Sequence, residues 1–496
     1  MSINVRKISE DLEAVAKDIK TINENFPEGM EDIVKMIIKT LKKVKNGTID
    51  TLREQMNAAY KARNLTRLAI SGIQIDNEKL LQIAADSLKT VKPIGIDPEL
   101  IESLAETIFN AQSPKEGETI AITGAKRNIE ILEAIARICI RKGVDFVIDI
   151  SNDEINAILI NNANDEGLKR LAKERYDLYE PIKTKLATYS NPDAKFDQDK
   201  MMKYLKELSP HANRIRNLNL AFSFTVVPTK KDAEIDGIEY KEYLKLFFEA
   251  CDQPWEAIQK AQTKLIEKLD KGKEMKMINK DGTNLTIGIE GSTFINSGAD
   301  ANIPGSEVFS APEKEKTNGT LVSKGTFKHH GFPLIKNITL EFVNGEIVES
   351  HAEEGEEDLK KILATDEGAK FIGEIAFGTN PHLHQHLVNA LLVEKIGGSF
   401  HLAAGNCIVL PPEGYFGQHA NTDNGNRSAI HWDITTLLKE GEVCLDGKVI
   451  QKNGIWVDEN GDPDPDLAVL NYGWEAMPKN QRPDWWEKRY PNGYED

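Results

Sequence analysis

Apolar residues recur at three- and four-residue spacing near the start of the chain: Ile8, Leu12, Val15 and Ile19, then Ile33, Met36, Ile37 and Leu41. That spacing is the period of a helix with one buried face. Pro93 and Pro98 punctuate the stretch, so residues 1–113 are expected to form a helical N-terminal segment that caps or docks. From 114 to 270 the pattern changes to α/β. ETIAITG reads as a strand ending at Gly124, RNIEILEAIARICIRKG as an amphipathic helix closed by Gly143, and VDFVIDIS as a second strand. LNLAFSFTVVP (218–228) reads as a later strand, before one long helical stretch from about Tyr240 to Leu269. TGAKRN carries one glycine and not the G-x-G-x-x-G spacing, so it gives little support for a phosphate site.

Short alternating strands dominate 271–455. NLTIGIEG alternates Leu285, Ile287 and Ile289, and KNITLEFVNGEIVES is a hairpin about Asn344-Gly345. Thr365 is expected to cap a helix leading to Glu374. The tail, 456–496, contains VDENGDPDPD, where Pro463 and Val469 occupy positions that an EF-hand loop gives to glycine and glutamate. It is read as a turn. Trp474, Trp485, Trp486, Tyr490 and Tyr494 then crowd the end and are expected to dock the tail onto the body. The fold class is therefore multidomain, α/β and α+β: a helical segment, an α/β domain with strand–helix–strand units, a strand-rich C-terminal domain and an aromatic tail.

Composition narrows the function. The 496 residues carry a formal net charge of -17, which disfavours nucleic acid and anionic membrane as partners. The opening MSINVRKISEDLEAV lacks the apolar core of a signal peptide, and no run approaches the ~18 apolar residues of a membrane helix. Cys139, Cys251, Cys407 and Cys444 are scattered without a C-x-x-C pair, which argues against a zinc ribbon or a disulfide framework. A cytoplasmic protein is expected. Nine of the ten histidines lie at or after His329, so the chemistry is sought in the C-terminal domain.

There, polar residues stand stranded in apolar, glycine-rich surroundings: Glu307 in NIPGSEVFSAP, Glu374 in FIGEIAF, His401 in KIGGSFHLAAG, and His431 with Asp433 in SAIHWDITT. In a strand, His431 and Asp433 share one face, while Ile430, Trp432 and Ile434 take the other. An aspartate on a buried face needs a cation, either a basic side chain or a metal. Three carboxylates and two imidazoles suit a pair of ions sharing a bridging carboxylate. HLHQH (382–386) offers a competing comb of histidines, but its context reads as a loop with exposed side chains.

These stretches resemble the aminopeptidase T/S family of thermophilic-type metallo-aminopeptidases. The likeness runs collinearly from SPKEGETIAITGA through ATDEGA…GEIAFGTNP to LDGKVIQKNG, about 114 to 455, and leaves the first 113 residues and the tail uncovered. It implies five metal ligands, Glu307, Glu374, His401, His431 and Asp433, holding two divalent ions (zinc, cobalt, manganese or magnesium). It also implies a homodimer, and removal of the N-terminal residue from peptides with a free N-terminus. Glu307 and Glu374 are the nominated catalytic carboxylates. Two departures stand out. Ile408 occupies the place of a tyrosine found in some members, and Tyr415 substitutes only if its loop folds back. Val393-Glu394-Lys395 stands where members often read DEK, and Glu394 is read first as a surface ion-pair partner of a lysine and second as a further carboxylate that could carry the proton. Two rivals remain: a non-haem iron ring-cleaving dioxygenase using His401, His431 and Asp433, and a metal-binding relative without catalysis.

Overall fold

In the computed structural model, which describes residues 51–73, 95–191, 194–208, 210, 221–329, 332–410, 414–491 and 493, the expected strand–helix–strand unit is present. Strand β1 (Thr119–Ala125) leads through the helix Ile129–Lys142 to β2 (Asp145–Ser151). Gly143 ends that helix at φ 68°, a left-handed position that glycine takes without steric cost. With β3 (Thr184–Tyr189) and β4 (Ala221–Val226) they form a parallel sheet ordered β2-β1-β3-β4. The N-terminal periodicity from Ile8 to Leu41, Pro93 and Tyr494 lie outside the described residues.

Part of the N-terminal segment is built into this sheet's unit. The helix Leu52–Ile70 carries Arg63 and Arg67. Arg63 is paired with the buried Asp149 of β2 and, at 3.1 Å, with Glu174; Arg67 lies 3.7 Å from Glu174. Asp149 also accepts a hydrogen bond from Tyr179. Burial alone would raise the Asp149 carboxyl, but the Arg63 and Arg175 guanidiniums outweigh it and hold its pKa at about 2.

The chain divides into two compact units, Met1–Val227 and Pro228–Asp496. In the second, the single long helix expected over 240–269 is two helices, Tyr240–Cys251 and Trp255–Leu269. Pro254 causes the break: it has no N–H to donate, and its ring disfavours helical geometry in the residue before it. Strands follow in the order β5 (Glu274–Asn279), β6 (Asn284–Gly288), β7 (Ile295–Ser297), β8 (Glu307–Ser310), β9 (Thr317–Phe327), β10 (Ile335–Val343), β11 (Glu346–Glu354), β12 (Ile372–Gly378), β13 (Ser399–Gly405), β14 (His431–Leu437), β15 (Gly441–Leu445), β16 (Lys448–Lys452) and β17 (Ile455–Trp456). The hairpin β10–β11 turns at Asn344-Gly345, both at positive φ as such a turn requires. Thr365 caps nothing: Asp366 is the N-cap, and the element it caps is one 3-10 turn, Glu367–Lys370.

Two sheets result, an eight-stranded one ordered β11-β10-β9-β6-β5-β15-β16-β17 and a five-stranded one ordered β14-β13-β12-β8-β7. They share one core. The larger sheet contributes Met275, Met277, Leu285, Ile287, Leu321 and Leu340; the smaller contributes Val308, Ile375, Phe377, Phe400, Leu402, Trp432 and Ile434. Alternation along each strand sends the intervening residues of the smaller sheet to its other face. The tail docks as expected: Trp474 and Trp485 donate to Asp252, Trp486 is fully buried, and Arg489 reaches the buried Glu249 at 2.9 Å. VDENGDPDPD forms a turn in which Asp458 accepts from the backbone of Asn460 and Asp462.

Candidate metal centre

Register decides which side chains meet. Asp433 pairs with Ala403 and Ala403 with Glu374, while Ala376 pairs with His401 and Gly378 with Glu307. Side chains two apart on a strand share a face, so Glu307, Glu374, His401, His431 and Asp433 all stand on the face turned away from the core. One irregularity makes this possible. Ile372 pairs with Ala404 and Glu374 with Ala403, so Gly373 is an extra residue in β12. This bulge lets Ile372 enter the core and Glu374 the opposite face, although they are two residues apart. Gly373 is a glycine because a Cβ there would overlap the carbonyl of Asn406.

The five side chains converge. His401 Nε2 lies 3.7 Å from Glu307 Oε2, 3.5 Å from Glu374 Oε1 and 4.0 Å from Asp433 Oδ1. His431 Nε2 lies 3.8 Å from Glu374 Oε2 and 3.7 Å from Asp433 Oδ1. Glu374 thus presents one oxygen to each imidazole. Most of these gaps are long for hydrogen bonds. They suit ligands around a common ion, since two atoms each about 2.1 Å from one ion in tetrahedral array lie about 3.4 Å apart. Glu374, His401 and Asp433 each offer a ligand atom within 4.8 Å of the others. Glu307 Oε2, Glu374 Oε2, Asp433 Oδ1 and both ring nitrogens of His401 are buried with no hydrogen-bond partner among the described residues. Such atoms are costly to bury unless a cation satisfies them, so the donor set fits a divalent metal.

Three supports were not legible in the sequence. His431 Nδ1 lies 2.7 Å from the carbonyl of Asn406, which fixes the ring with Nε2 toward the cluster. Lys395, wholly buried, lies 2.6 Å from Glu307 Oε1 and 3.1 Å from Glu394 Oε2. Glu394 is therefore no surface residue. Burial raises its carboxyl against the pull of Lys395, to a pKa of about 7. Burial opposes charging His431, yet Asp433 and Glu374 raise its pKa to about 9. His401 is likewise raised despite burial, by the nearby carboxylates of Glu374, Asp433 and Glu307. Asp433 is raised by burial and by the other carboxylates.

The Tyr415 loop does fold back. Its ring meets Phe309 edge-on at 5.7 Å, and its hydroxyl is hydrogen-bonded to Ser297, the residue paired with Glu307. HLHQH is a loop, but its histidines are not uniformly exposed: His382 is buried 3.1 Å from Glu249, and His386 packs on Phe327 at 4.7 Å. The docked tail and the helix Tyr240–Cys251 supply the cover that the loop's polar sequence conceals.

A family model described as thermophilic metalloprotease (M29) matches residues 98–461. The chain belongs to the M29 family. M29 metalloproteases use divalent metal, in keeping with the donor set above. Aminopeptidase AmpS of Bacillus subtilis (strain 168) is 31% identical over 256 residues, which is 47% of this chain and 62% of that protein. Aminopeptidase T of Thermus aquaticus is 31% identical over 195 residues, 36% of this chain and 47% of that protein. The alignments therefore span about half to three-fifths of these relatives' length. Wild-type AmpT from Thermus thermophilus has the same fold, with a TM-score of 0.59 at 24% identity over 73% of this chain and 99% of that one. A structure titled as a dihydroxypyridine dioxygenase of Pseudomonas putida, at a TM-score of 0.43 and 17% identity, is too distant to bear on the reaction. Among the described residues, no helix of this M29 member is long and apolar enough to cross a membrane.

Proposed function

We propose that this chain is a metal-dependent aminopeptidase that removes N-terminal residues from peptides, with two divalent ions held by Glu307, Glu374, His401, His431 and Asp433. The observation that carries the reading is Glu374, whose two oxygens face two different imidazoles, at 3.5 and 3.8 Å. A single-iron dioxygenase site of His401, His431 and Asp433 leaves Glu374 and Glu307 without a task. Names support the same reading, since the relatives above are called aminopeptidases. Assembly as a homodimer, from the family resemblance, and a location in the cytoplasm, from composition, belong to the proposal. Zinc, cobalt, manganese and magnesium are all admissible ions for this mixed oxygen and nitrogen donor set.

Bound metal supplies a water acidic enough to ionise near neutral pH and polarises the scissile carbonyl. The chain's own residues do the rest. Lys395 neutralises and orients Glu307 from one side, leaving Oε2 turned toward His401. Asn406 orients His431. Proton transfer to the leaving amine needs a carboxylate at the site, and Glu307 and Glu374 are the nominated carriers. Glu394, with a carboxyl pKa near 7, stands beside them.

Metal analysis of purified wild type and Glu374→Ala, with hydrolysis of a leucyl amide, tests the reading. We expect two ions in wild type, one or none in the variant, and loss of cleavage. One tightly held iron in both proteins, with no hydrolysis by either, supports the dioxygenase instead.

A further inference from the structure

Three parts of the second unit meet at one buried carboxylate, Glu249, on the helix Tyr240–Cys251. Its side chain is 2% exposed, with Oε1 2.9 Å from Arg489 Nη1 of the tail and Oε2 3.1 Å from His382 Nε2 of the HLHQH loop. The tail encloses His382 from other sides too. Trp485 and Tyr490 meet its ring edge-on at 5.9 and 6.2 Å, and Gly473 lies so near Pro381 that a Cβ would stand 2.8 Å from its ring. From His382 the contacts continue inward. Its backbone N–H donates to Asn380 Oδ1 at 3.0 Å. Asn380, fully buried, donates from its backbone to the carbonyl of Lys395 at 2.8 Å and from its side chain to that of Ala250 at 3.0 Å. Gly397 donates back to Asn380 and Leu383, which ties the loop 380–396 closed at its base. Lys395 Nζ then meets Glu307 at 2.6 Å and Glu394 at 3.1 Å. The series Arg489, Glu249, His382, Asn380, Lys395, Glu307 is thus unbroken.

The loop falls inside the family match, which ends at residue 461, whereas Trp485, Arg489 and Tyr490 lie beyond it. Resting on the aminopeptidase reading, we infer that the tail is a strap that sets the position of Lys395 and Glu394 at the candidate metal centre, with Arg489, Glu249 and His382 as positioning residues. The cost of a buried charge gives the strap its grip. Glu249 is tolerated inside the protein because Arg489 compensates it. Without that guanidinium the carboxylate gains by turning toward water, and it withdraws the oxygen that holds the His382 ring. The loop then loses its anchor on the helix and loosens at Asn380, where the carbonyl of Lys395 is held. A shift of about 1 Å in groups that orient a catalytic carboxylate is enough to slow a reaction.

The test compares Arg489→Ala, Arg489→Lys and Trp485→Phe with Lys488→Ala, which removes the same charge from an exposed position one residue away. Amide hydrogen exchange in the cation-free, full-length protein reads the loop without the reaction. Arg489→Ala should speed exchange across 380–397 by at least about tenfold and leave the hairpin β10–β11 as in wild type. With metal restored, its kcat for a leucyl amide should fall by about tenfold while KM stays within about twofold. Arg489→Lys should recover most of both. Trp485→Phe keeps a ring against His382 but loses the donation to Asp252; it should move both readings in the same sense by about threefold, and serves where Arg489→Ala does not fold. Lys488→Ala should change neither. Loop exchange as in wild type in the Arg489 and Trp485 variants, or faster exchange with kcat unchanged, overturns the strap. So does a uniform rise in exchange across the whole second unit, because the tail then serves stability alone. Failure of metal-loaded wild type to hydrolyse the amide overturns the aminopeptidase reading, while loop exchange still decides the strap.

Discussion

Lys395 has no exposed surface and two carboxylate partners, Glu307 and Glu394. Removing its charge leaves both carboxylates buried with one counter-charge fewer. Lys395→Met should therefore cost about 3–5 kcal/mol in chelator-treated protein, and less once a bound cation compensates Glu307. Urea denaturation with and without zinc checks this; an equal loss in both conditions contradicts it. The imidazoles make a second prediction. With its pKa at about 9, His431 carries a proton at pH 7 in the cation-free protein, and a metal ligand must be deprotonated. Zinc binding at pH 7 should release at least about one proton, and the release should shrink as pH rises past 9, so affinity climbs with pH across that window. Calorimetry in two buffers of different ionisation heat reads the number. At this scale, part of the site was legible. The i, i+2 spacing of His431 and Asp433 fixed their shared face, because strand periodicity is local. Lys395 was not legible, because a Glu-Lys pair on a surface and one buried beneath Glu307 are the same two letters.

Gly373 shows what an element adds. The alternation of FIGEIAF alone places Ile372 and Glu374 on one face, and the bulge that separates them is set by the neighbouring strand. Gly373→Ala should abolish cation binding, since its Cβ meets backbone that cannot yield; zinc titration by calorimetry reads this. The tail makes a second case. Its aromatic residues announced docking, but their target did not appear in the sequence, because Asp252 and Glu249 lie over 200 residues away. Arg489→Ala removes the guanidinium beside the buried Glu249 and should cost about 2 kcal/mol, read as a lower Tm. The break at Pro254 needed only weight given to a proline already in view. The misplaced Thr365 cap reflects two adjacent residues both able to cap, a choice that local sequence leaves open.

Over the whole chain, each compact unit carries its own dependence on solution conditions. The Asp149 carboxyl, held at about 2 against an ordinary value of 3.8, contributes stability that is complete above pH 4 and lost as pH falls from 4 toward 2. About 2 kcal/mol is at stake, and Asp149→Asn should flatten that acid limb without altering the response to metal. The helix Leu52–Ile70 supplies Arg63, one partner of Asp149 beside Arg175 and Tyr179, so a chain begun near Gln112 should lose part of that stability at neutral pH, as denaturant midpoints would show. Cation binding should stabilise the second unit, which holds the donors. In that unit the smaller sheet couples two properties. On β12, β13 and β14 each proposed metal ligand is the immediate neighbour of a core residue: Glu374 of Ile375, His401 of Phe400 and Leu402, Asp433 of Trp432 and Ile434. Insertion or deletion of one residue inside any of these strands exchanges the two sets, sending a carboxylate or imidazole into the core and an aromatic or aliphatic side chain to the metal face. Length changes should therefore be absorbed by the connecting loops, while a single codon lost within the strands removes solubility and metal together.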